Sequence, residues 1–201
     1  MKILALNGSY RRGGIIDTAI AEILEAARES GAETDEIRLI DEQIAFCTNC
    51  RTCTQEAGIR RGQCVIDDAM KKVLAAVEEA DAIVLGSPMN FGTVTAVTKR
   101  FLERLVCFAY WPWGKLAPKM RDTRKRKNAV VVASSMSPFL MGRFSKRYVG
   151  VLKEIAGILG ARTRGVVYVG LAARGKRQGI GVRAGKRARA FGKKLASAAS
   201  R

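Results

Sequence analysis

The chain has 201 residues, 48% of them apolar and 6% aromatic, which is enough for one domain with a full hydrophobic core. Its 36 lysines and arginines against 18 acidic residues give a formal charge of +18, which favours anionic ligands such as nucleotides. It contains no histidine, and this excludes His-based catalytic triads, His proton shuttles and His-containing metal sites.

Short apolar runs alternate along the chain with segments of helical period. Several runs are continuous rather than alternating, which is typical of strands buried on both faces of a parallel sheet. In chain order, the predicted elements are a strand at 3–6, a helix at 16–27, a strand at 37–40, a helix at 69–79, a strand at 82–85, a helix at 94–105, a strand at 129–133, a helix at 149–159, a strand at 166–171 and a last helix from about residue 181.

Five strands in alternation with five helices predict an α/β fold, a doubly wound five-stranded parallel sheet with helices on both faces. We expect the whole chain, 1–201, to form a single domain. Ligands of such sheets bind at the carboxyl ends of the strands, near the switch point in the strand order. The loops that follow the strands are therefore where a functional site is expected.

The loop after the first strand has the residue types of a phosphate site. Glycines allow the backbone to approach an anion closely, and the N-terminus of the next helix offers free N–H groups. The loop has neither the Gly-Lys-Ser/Thr ending of a P-loop nor the G-x-G-x-x-G pattern. The alternative is an ordinary glycine-rich turn in which Asp17 or Thr18 caps the helix. The candidate phosphate-binding residues are Ser9, Arg11, Arg12 and Thr18.

A second candidate loop, residues 86–95, joins the third strand to the following helix. Pro88 and Gly92 impose an unusual backbone path there, so that main-chain amides can face a ligand. The alternative is a plain strand–helix turn capped by Thr93. The candidate ligand contacts in this loop are Ser87, Pro88, Met89, Asn90, Phe91 and Gly92.

Both loops resemble those of the flavodoxin-like NADPH-dependent FMN reductases. In that family the first loop usually reads Gly-Ser-Pro-Arg and the second Gly-Ser-Pro-x-Tyr-Phe/Trp-Gly, whereas here Tyr10 replaces the first proline. The resemblance covers most of the chain. It implies a flavodoxin-like fold, FMN as cofactor, NAD(P)H as substrate and a homodimer or homotetramer. It also implies that the first loop holds the FMN phosphate and that the second lines the flavin ring, whose N5 carries the chemistry without a catalytic side chain. The end of the fourth strand resembles the third flavin-facing loop of the family without its usual glycines, which adds Ser134 and Ser135 as candidate flavin contacts.

These features predict an FMN-dependent oxidoreductase that transfers electrons from NAD(P)H to a quinone, a flavin or another small acceptor. Two alternatives stay open. One is an iron–sulfur flavoprotein in electron transfer. The other is a flavin-binding regulatory or nucleic-acid-associated protein that acts through its basic C-terminus.

Four cysteines form a compact C-x2-C-x2-C-x10-C pattern inside a loop at 44–66. The first three have the spacing of cluster ligands in bacterial ferredoxins, and the set resembles the motif of iron–sulfur flavoproteins in the same superfamily. A [4Fe-4S] cluster and a zinc site are options, but reduced thiols without a metal are the interpretation that we favour. The candidate metal ligands are Cys47, Cys50, Cys53 and Cys64. The fifth cysteine, Cys107, is expected in the core.

The location of the protein follows from its apolar runs. None reaches the ~20 residues that a membrane helix needs, and the N-terminal run is too short for a secretory signal. We therefore expect a cytoplasmic protein without membrane contact, whose cysteines form no disulfide framework.

Two further segments differ in composition from the rest of the chain. An aromatic and basic insertion at 107–127, with Trp111 and Trp113, is expected to form an oligomer contact or to cover the flavin ring. A basic C-terminal helix, 176–201, lies within a stretch, 155–201, that has 12 basic and no acidic residues. We interpret it as a solvated face, with attraction of NADPH phosphates as the alternative. Nucleic-acid binding is not favoured, because no such module is evident.

Overall fold

The structure is a computed structural model that describes residues 1–136, 145–172, 175 and 178–197. Residues 137–144, 176–177 and 198–201 lie outside the described residues, and the last two ranges belong to the predicted basic C-terminal helix. In chain order the elements are β1 (Lys2–Asn7), α1 (Ile15–Arg28), β2 (Glu33–Arg38), α2 (Met70–Glu79), β3 (Ala82–Pro88), α3 (Ala96–Arg104), β4 (Ala109–Tyr110), β5 (Lys119–Met120), β6 (Lys127–Ser134), α4 (Ser145–Ile158), β7 (Ala161–Val169) and α5 (Val182–Ser197).

The main sheet has the strand order β2-β1-β3-β6-β7, and all of its neighbouring strands are parallel. This is the doubly wound, flavodoxin-like order, and it confirms the predicted fold class. The chain changes direction across the sheet between β1 and β3, where Asn7 is paired with Gly86. The switch point therefore lies at the carboxyl ends of these two central strands.

Both faces of the sheet are covered by helices, as predicted. Along β1, Leu4 and Leu6 face a core built with α2, α3 and α4, whereas Ile3 and Ala5 face a core built with α1 and α5. All four side chains are essentially inaccessible to water. Full burial of a large aliphatic side chain contributes about 1.5–3 kcal/mol, so the two cores hold the central strands firmly and fix the positions of the loops at their ends.

Two strands differ from the predicted boundaries. The second strand was expected at 37–40 but is Glu33–Arg38, and Leu39 and Ile40 lie in the turn that follows. This prediction was wrong because β2 is an edge strand that pairs only with β1 and is largely exposed, so it has no continuous apolar run. The last strand, expected at 166–171, is Ala161–Val169.

A small antiparallel ribbon, β4 with β5, lies within the 107–127 segment. It packs on the cysteine loop through hydrogen bonds from Trp111 N–H to the Thr54 carbonyl (2.9 Å) and from Gly62 N–H to the Cys107 carbonyl (2.8 Å). Cys107 is buried as predicted, and this burial raises the pKa of its thiol to about 12. The aromatic segment therefore lies against the cysteine loop. In the part of the chain that is described, no helix is both long and apolar enough to cross a membrane.

Candidate cofactor-binding site

The three loops singled out by the sequence meet at the switch point. Gly8 N–H donates to the Gly86 carbonyl (2.7 Å), and the Thr95 hydroxyl donates to the Gly8 carbonyl (2.7 Å). Met89 N–H donates to the Ser134 carbonyl (2.8 Å), which joins the second loop to the third. The loops after β1, β3 and β6 are therefore one hydrogen-bonded unit at the carboxyl edge of the sheet.

The loop after β1 fits a phosphate group. Helix α1 begins after Gly14 without a side-chain cap, so the N–H groups of its first turn are left for a ligand. Gly13 has a φ of 68°, and the space around its missing Cβ is open. The buried Ser9 hydroxyl accepts from Arg11 N–H at 3.1 Å and so shapes the turn. Arg11 itself is exposed, and within the described residues it has no ion pair.

Arg12 and Thr18, also predicted to bind the phosphate, have partners inside the protein. The Arg12 guanidinium pairs with Asp41 at 2.7 Å. The Thr18 hydroxyl donates to the Gly14 carbonyl (3.0 Å) and accepts from Ile180 N–H (3.0 Å), which ties α1 to the segment before α5. Both side chains support the neighbourhood of the loop, and their contact with a phosphate stays a prediction.

Arg38, at the end of β2, contacts the loop after β1 and was not identified from the sequence. Its largely buried guanidinium pairs with Asp17 at 2.8 Å and lies 3.5 Å from the Ser9 carbonyl. Asp17 in turn accepts from Gly13 N–H at 2.8 Å. Arg38 thus compensates the Asp17 carboxylate, which would otherwise repel a phosphate.

Tyr10, which stands where the family usually has proline, joins the first loop to the second. Its phenol oxygen accepts from the N–H of Ala96, the first residue of α3, at 2.9 Å. No local pattern indicates this contact, because the two residues are far apart in the chain.

The tip of the second loop is a tight turn closed by two hydrogen bonds, from Asn90 N–H to the Thr93 carbonyl (2.9 Å) and from Thr93 N–H to the Asn90 carbonyl (3.1 Å). Its central residues, Phe91 and Gly92, have φ values of 48° and 78°. The Phe91 ring is fully exposed. A phenylalanine in a disfavoured backbone conformation, with its ring in water, contributes little to the fold, and its contact with a ligand stays a prediction.

The base of the second loop is held from below. The fully buried Ser87 hydroxyl accepts from Thr95 N–H at 3.2 Å, and Thr95 caps α3, whereas the sequence had suggested Thr93 as the cap. The Ser87 carbonyl accepts from the hydroxyl of Tyr148 on α4. Burial raises the pKa of Tyr148, so its phenol stays protonated and donates to the loop. The surface left to a ligand is the 88–92 backbone with the Met89, Asn90 and Phe91 side chains.

Ser134 and Ser135, at the end of β6, are both buried. Ser135 N–H donates to the Val169 carbonyl at 3.1 Å, and its hydroxyl is hydrogen-bonded to the Tyr168 phenol. These serines brace the third loop, and their direct contact with a flavin stays a prediction.

The four clustered cysteines lie in the long connection between β2 and α2. Burial raises the pKa of the Cys53 thiol, and the neighbouring Cys64, Cys47 and Cys50 raise it further. Even so, no three or more Cys, Asp or Glu side chains in the described ranges are arranged to hold a metal ion. As placed here, the cysteines do not form the ligand set of a cluster.

Two arginines fix the loop that carries these cysteines. The Arg51 guanidinium lies between the rings of Trp111 (3.8 Å) and Trp113 (4.2 Å) and donates to the Trp111 carbonyl (2.6 Å). Arg104, almost completely buried, pairs with Asp68 at 2.5 Å and lies 3.5 Å from the Cys64 sulfur. The sequence gave no indication of either contact, since both join residues distant along the chain.

Sequence relatives of the chain include two proteins named iron–sulfur flavoprotein. One, from Methanocaldococcus jannaschii, is 38% identical over 104 residues, or 52% of this chain and 51% of that protein. The other, from Methanosarcina thermophila, is 34% identical over 106 residues, or 53% of each. The chain thus spans about half the length of the curated relatives that it matches.

Solved structures share the fold. An NAD(P)H:quinone oxidoreductase from Methanothermobacter marburgensis has a TM-score of 0.70 at 16% identity, with 97% of this chain and 98% of that chain covered. An azoreductase from Bacillus anthracis has a TM-score of 0.63 at 14% identity, with 100% and 98% covered. The sequence pattern of NADPH-dependent FMN reductases matches residues 1–173, which include all seven strands and the three loops described above. The chain belongs to the NADPH-dependent FMN reductase family.

Proposed function

We propose that the protein is an FMN-dependent oxidoreductase that transfers electrons from NAD(P)H to a quinone, a flavin or another small acceptor. The observation that carries this proposal is the junction of the three loops at the switch point. There, the uncapped N-terminus of α1 follows β1, and the exposed, strained turn at Phe91 follows the adjacent strand β3. Family membership supports the same conclusion.

The roles of the residues follow from their positions. Bound FMN would supply hydride and electron transfer through its flavin ring. Ser9, Arg11 and the first N–H groups of α1 would hold the phosphate. The backbone of 88–92 would orient the ring, with Phe91 at its rim. Because the chain has no histidine, the share of the protein is binding, orientation and electrostatic stabilisation rather than His-mediated proton transfer.

The test is the visible spectrum of the purified protein together with steady-state NAD(P)H oxidation in the presence of a quinone or dye. Ser9→Asp puts a carboxylate against the phosphate, so we expect loss of both flavin and turnover. The matched control is Ser197→Asp, at an exposed position near the end of α5, which should keep both. Retention of FMN by Ser9→Asp would contradict the assigned phosphate site.

A second candidate is an iron–sulfur flavoprotein in electron transfer. It is supported by the names of the sequence relatives and by the spacing of the four cysteines. We rank it second because the thiols do not form a ligand set, and we expect aerobically purified protein to hold FMN without a full cluster. Anaerobic purification with iron and sulfide analysis decides between the two. Stoichiometric iron that is lost in Cys50→Ser but kept in Cys107→Ala would promote the second candidate.

We also propose a homodimer or homotetramer in the cytoplasm. Large apolar side chains are exposed at several places, among them Phe46, Phe91, Trp113 and Leu116, which fits an interface between copies. All five cysteines are free thiols, which fits a reducing compartment. Sedimentation equilibrium measures the oligomeric state, and a monomer at micromolar concentration would contradict the first statement. Nucleic acid is not proposed as a partner of α5, because Arg189 on this helix is already paired with Glu22 and Glu29.

A further inference from the structure

A groove of about 480 Å³ opens at the amino-terminal edge of the sheet, opposite the cofactor site. We call it the basal groove. It lies between the starts of β6 and β7, the end of α2 and residues 59–63 of the cysteine loop. β6 has eight residues, so roughly 25 Å of strand separates the groove from the loops at the other edge.

The basal groove is strongly cationic. Two carboxylates also line it, and both are already paired: Glu78 with Arg61 (2.6 Å) and Asp122 with Arg124 (2.7 Å). The six cations that line it are Arg60, Arg61, Arg121, Arg124, Arg126 and Lys127.

The cations differ in how far they are committed to the fold. The Lys127 ammonium donates to the Glu78 carbonyl at 3.0 Å and so caps the end of α2. Arg121 donates to the Cys53 and Ala109 carbonyls, each at 3.1 Å. Arg60 and Arg126, by contrast, are exposed, and neither has an ion pair within the described ranges. The rim therefore keeps positive charge that the protein itself does not neutralise.

The wall of the groove is apolar. Ile59, Phe108, Ile158 and Leu159 line it beside the guanidinium groups. Guanidinium groups bind phosphate oxygens in pairs of hydrogen bonds and also stack on planar rings. A ligand with a multiply charged phosphate chain and a flat ring matches this combination, and the volume lies within the range of small-molecule sites.

We propose that the basal groove binds a nucleoside di- or triphosphate, with the phosphates on Arg60 and Arg126 and the base against Phe108 and Ile158. This site is separate from the proposed site for FMN and NAD(P)H. Because residues 59–63 form one wall and Arg121 contacts the Cys53 carbonyl, the ligand also braces the cysteine loop.

The test is calorimetric titration of ADP into the full-length protein saturated with FMN. ADP should bind saturably and more tightly than pyrophosphate, while adenosine alone should not bind. The Arg60→Glu/Arg126→Glu double variant should weaken ADP binding at least about tenfold, because two phosphate contacts become repulsive. Arg183→Glu/Lys186→Glu makes the same charge change on the outer face of α5 and should leave ADP binding within about twofold of wild type.

If the α5 control lost ADP binding to the same extent, the loss would be explained by net charge alone, and the proposal would be overturned. If saturation with FMN abolished ADP binding, ADP would bind in the cofactor site at the other edge of the sheet, and this result too would overturn the proposal. If pyrophosphate bound as tightly as ADP, the base would make no contact with the groove, and the proposal of a nucleoside ligand would be overturned. The visible spectrum of each variant reports FMN retention separately, so a failure of the proposed function is distinguishable from a failure of this site.

Discussion

The phenol oxygen of Tyr10 lies 2.9 Å from the backbone nitrogen of Ala96, and this hydrogen bond connects the loop after β1 to the first turn of α3. Tyr10→Phe removes the acceptor but keeps the ring. We expect the FMN dissociation constant to rise several-fold because the loop is less firmly held, with about 1 kcal/mol lost from the free energy of unfolding. FMN fluorescence titration and urea unfolding measure the two effects. Tyr110→Phe, beyond the other end of α3, is the control, and an unchanged FMN affinity in Tyr10→Phe would contradict the linking role.

Gly8, directly after β1, is closely packed against β3 and α3. A Cβ at this position would lie 1.9 Å from the Thr98 hydroxyl and 3.2 Å from the Gly86 carbonyl. Gly8→Ala should therefore lower the free energy of unfolding by about 1–3 kcal/mol and weaken FMN binding. Adding Thr98→Ala should restore part of the loss, since the two residues are in contact. Urea unfolding measures both variants.

The control for Gly8 is Gly150→Ala, where an added Cβ meets no atom within 4 Å. This helical position should gain stability, by up to about 1 kcal/mol. Gly8→Ala with wild-type stability would show that α3 can move away from the end of β1, and that the switch point is less rigid than the contacts indicate.

The buried pair of Asp68 and Arg104 predicts a pH dependence. Burial opposes ionisation of Asp68, but hydrogen bonds from Arg104 and from two backbone N–H groups outweigh it and hold the pKa of this carboxyl below its usual value. The stability that the pair contributes is thus fully present above about pH 4, the ordinary pKa of an unfolded aspartate. It is lost as the pH falls through the lower folded-state pKa.

Asp68→Asn leaves the Arg104 guanidinium buried without a counter-charge. We expect the free energy of unfolding at pH 7 to fall by about 3 kcal/mol, and the variant to lose less stability than wild type on acidification below pH 4. Urea unfolding at a series of pH values measures this. Glu103→Gln breaks the exposed pair with Lys99 and should change little. Parallel pH curves for wild type and Asp68→Asn would refute the assignment.

Because of the backbone conformation of Phe91, we expect its replacement to affect stability and activity in different ways. Glycine at this position would relieve a left-handed conformation that costs an L-residue about 1–2 kcal/mol, offset by roughly 0.5–1 kcal/mol from the greater flexibility of the unfolded chain. Phe91→Gly should therefore unfold at the same or a slightly higher temperature, yet have a lower kcat/KM for NAD(P)H oxidation. A clear drop in Tm would mean that the exposed ring stabilises the fold, and unchanged turnover would mean that it does not face the site.

The elements that the sequence predicted well are those with local causes. β1, β3 and β6 are buried on both faces, so continuous apolar runs mark them, whereas β2 at the edge has an exposed, polar sequence and was displaced. Glycines and hydroxyl residues after the strands located the candidate loops. Arg38, Tyr10 and Tyr148, which hold those loops in place, come from other elements. No spacing in the chain encodes such contacts, and only the fold brings them together.

The family similarity ends at residue 173, before α5 begins, yet α5 completes the packing of the chain. Gly192 lies so close to α1 that a Cβ there would be 2.2 Å from the Ile23 carbonyl, and Leu195 is almost entirely buried. An expression clone cut at the boundary of the family match would leave in water the apolar parts of α1, β6 and β7 that α5 covers, and its product would be prone to aggregate. The smallest unit that can be cut out and studied is therefore longer than the unit that similarity defines.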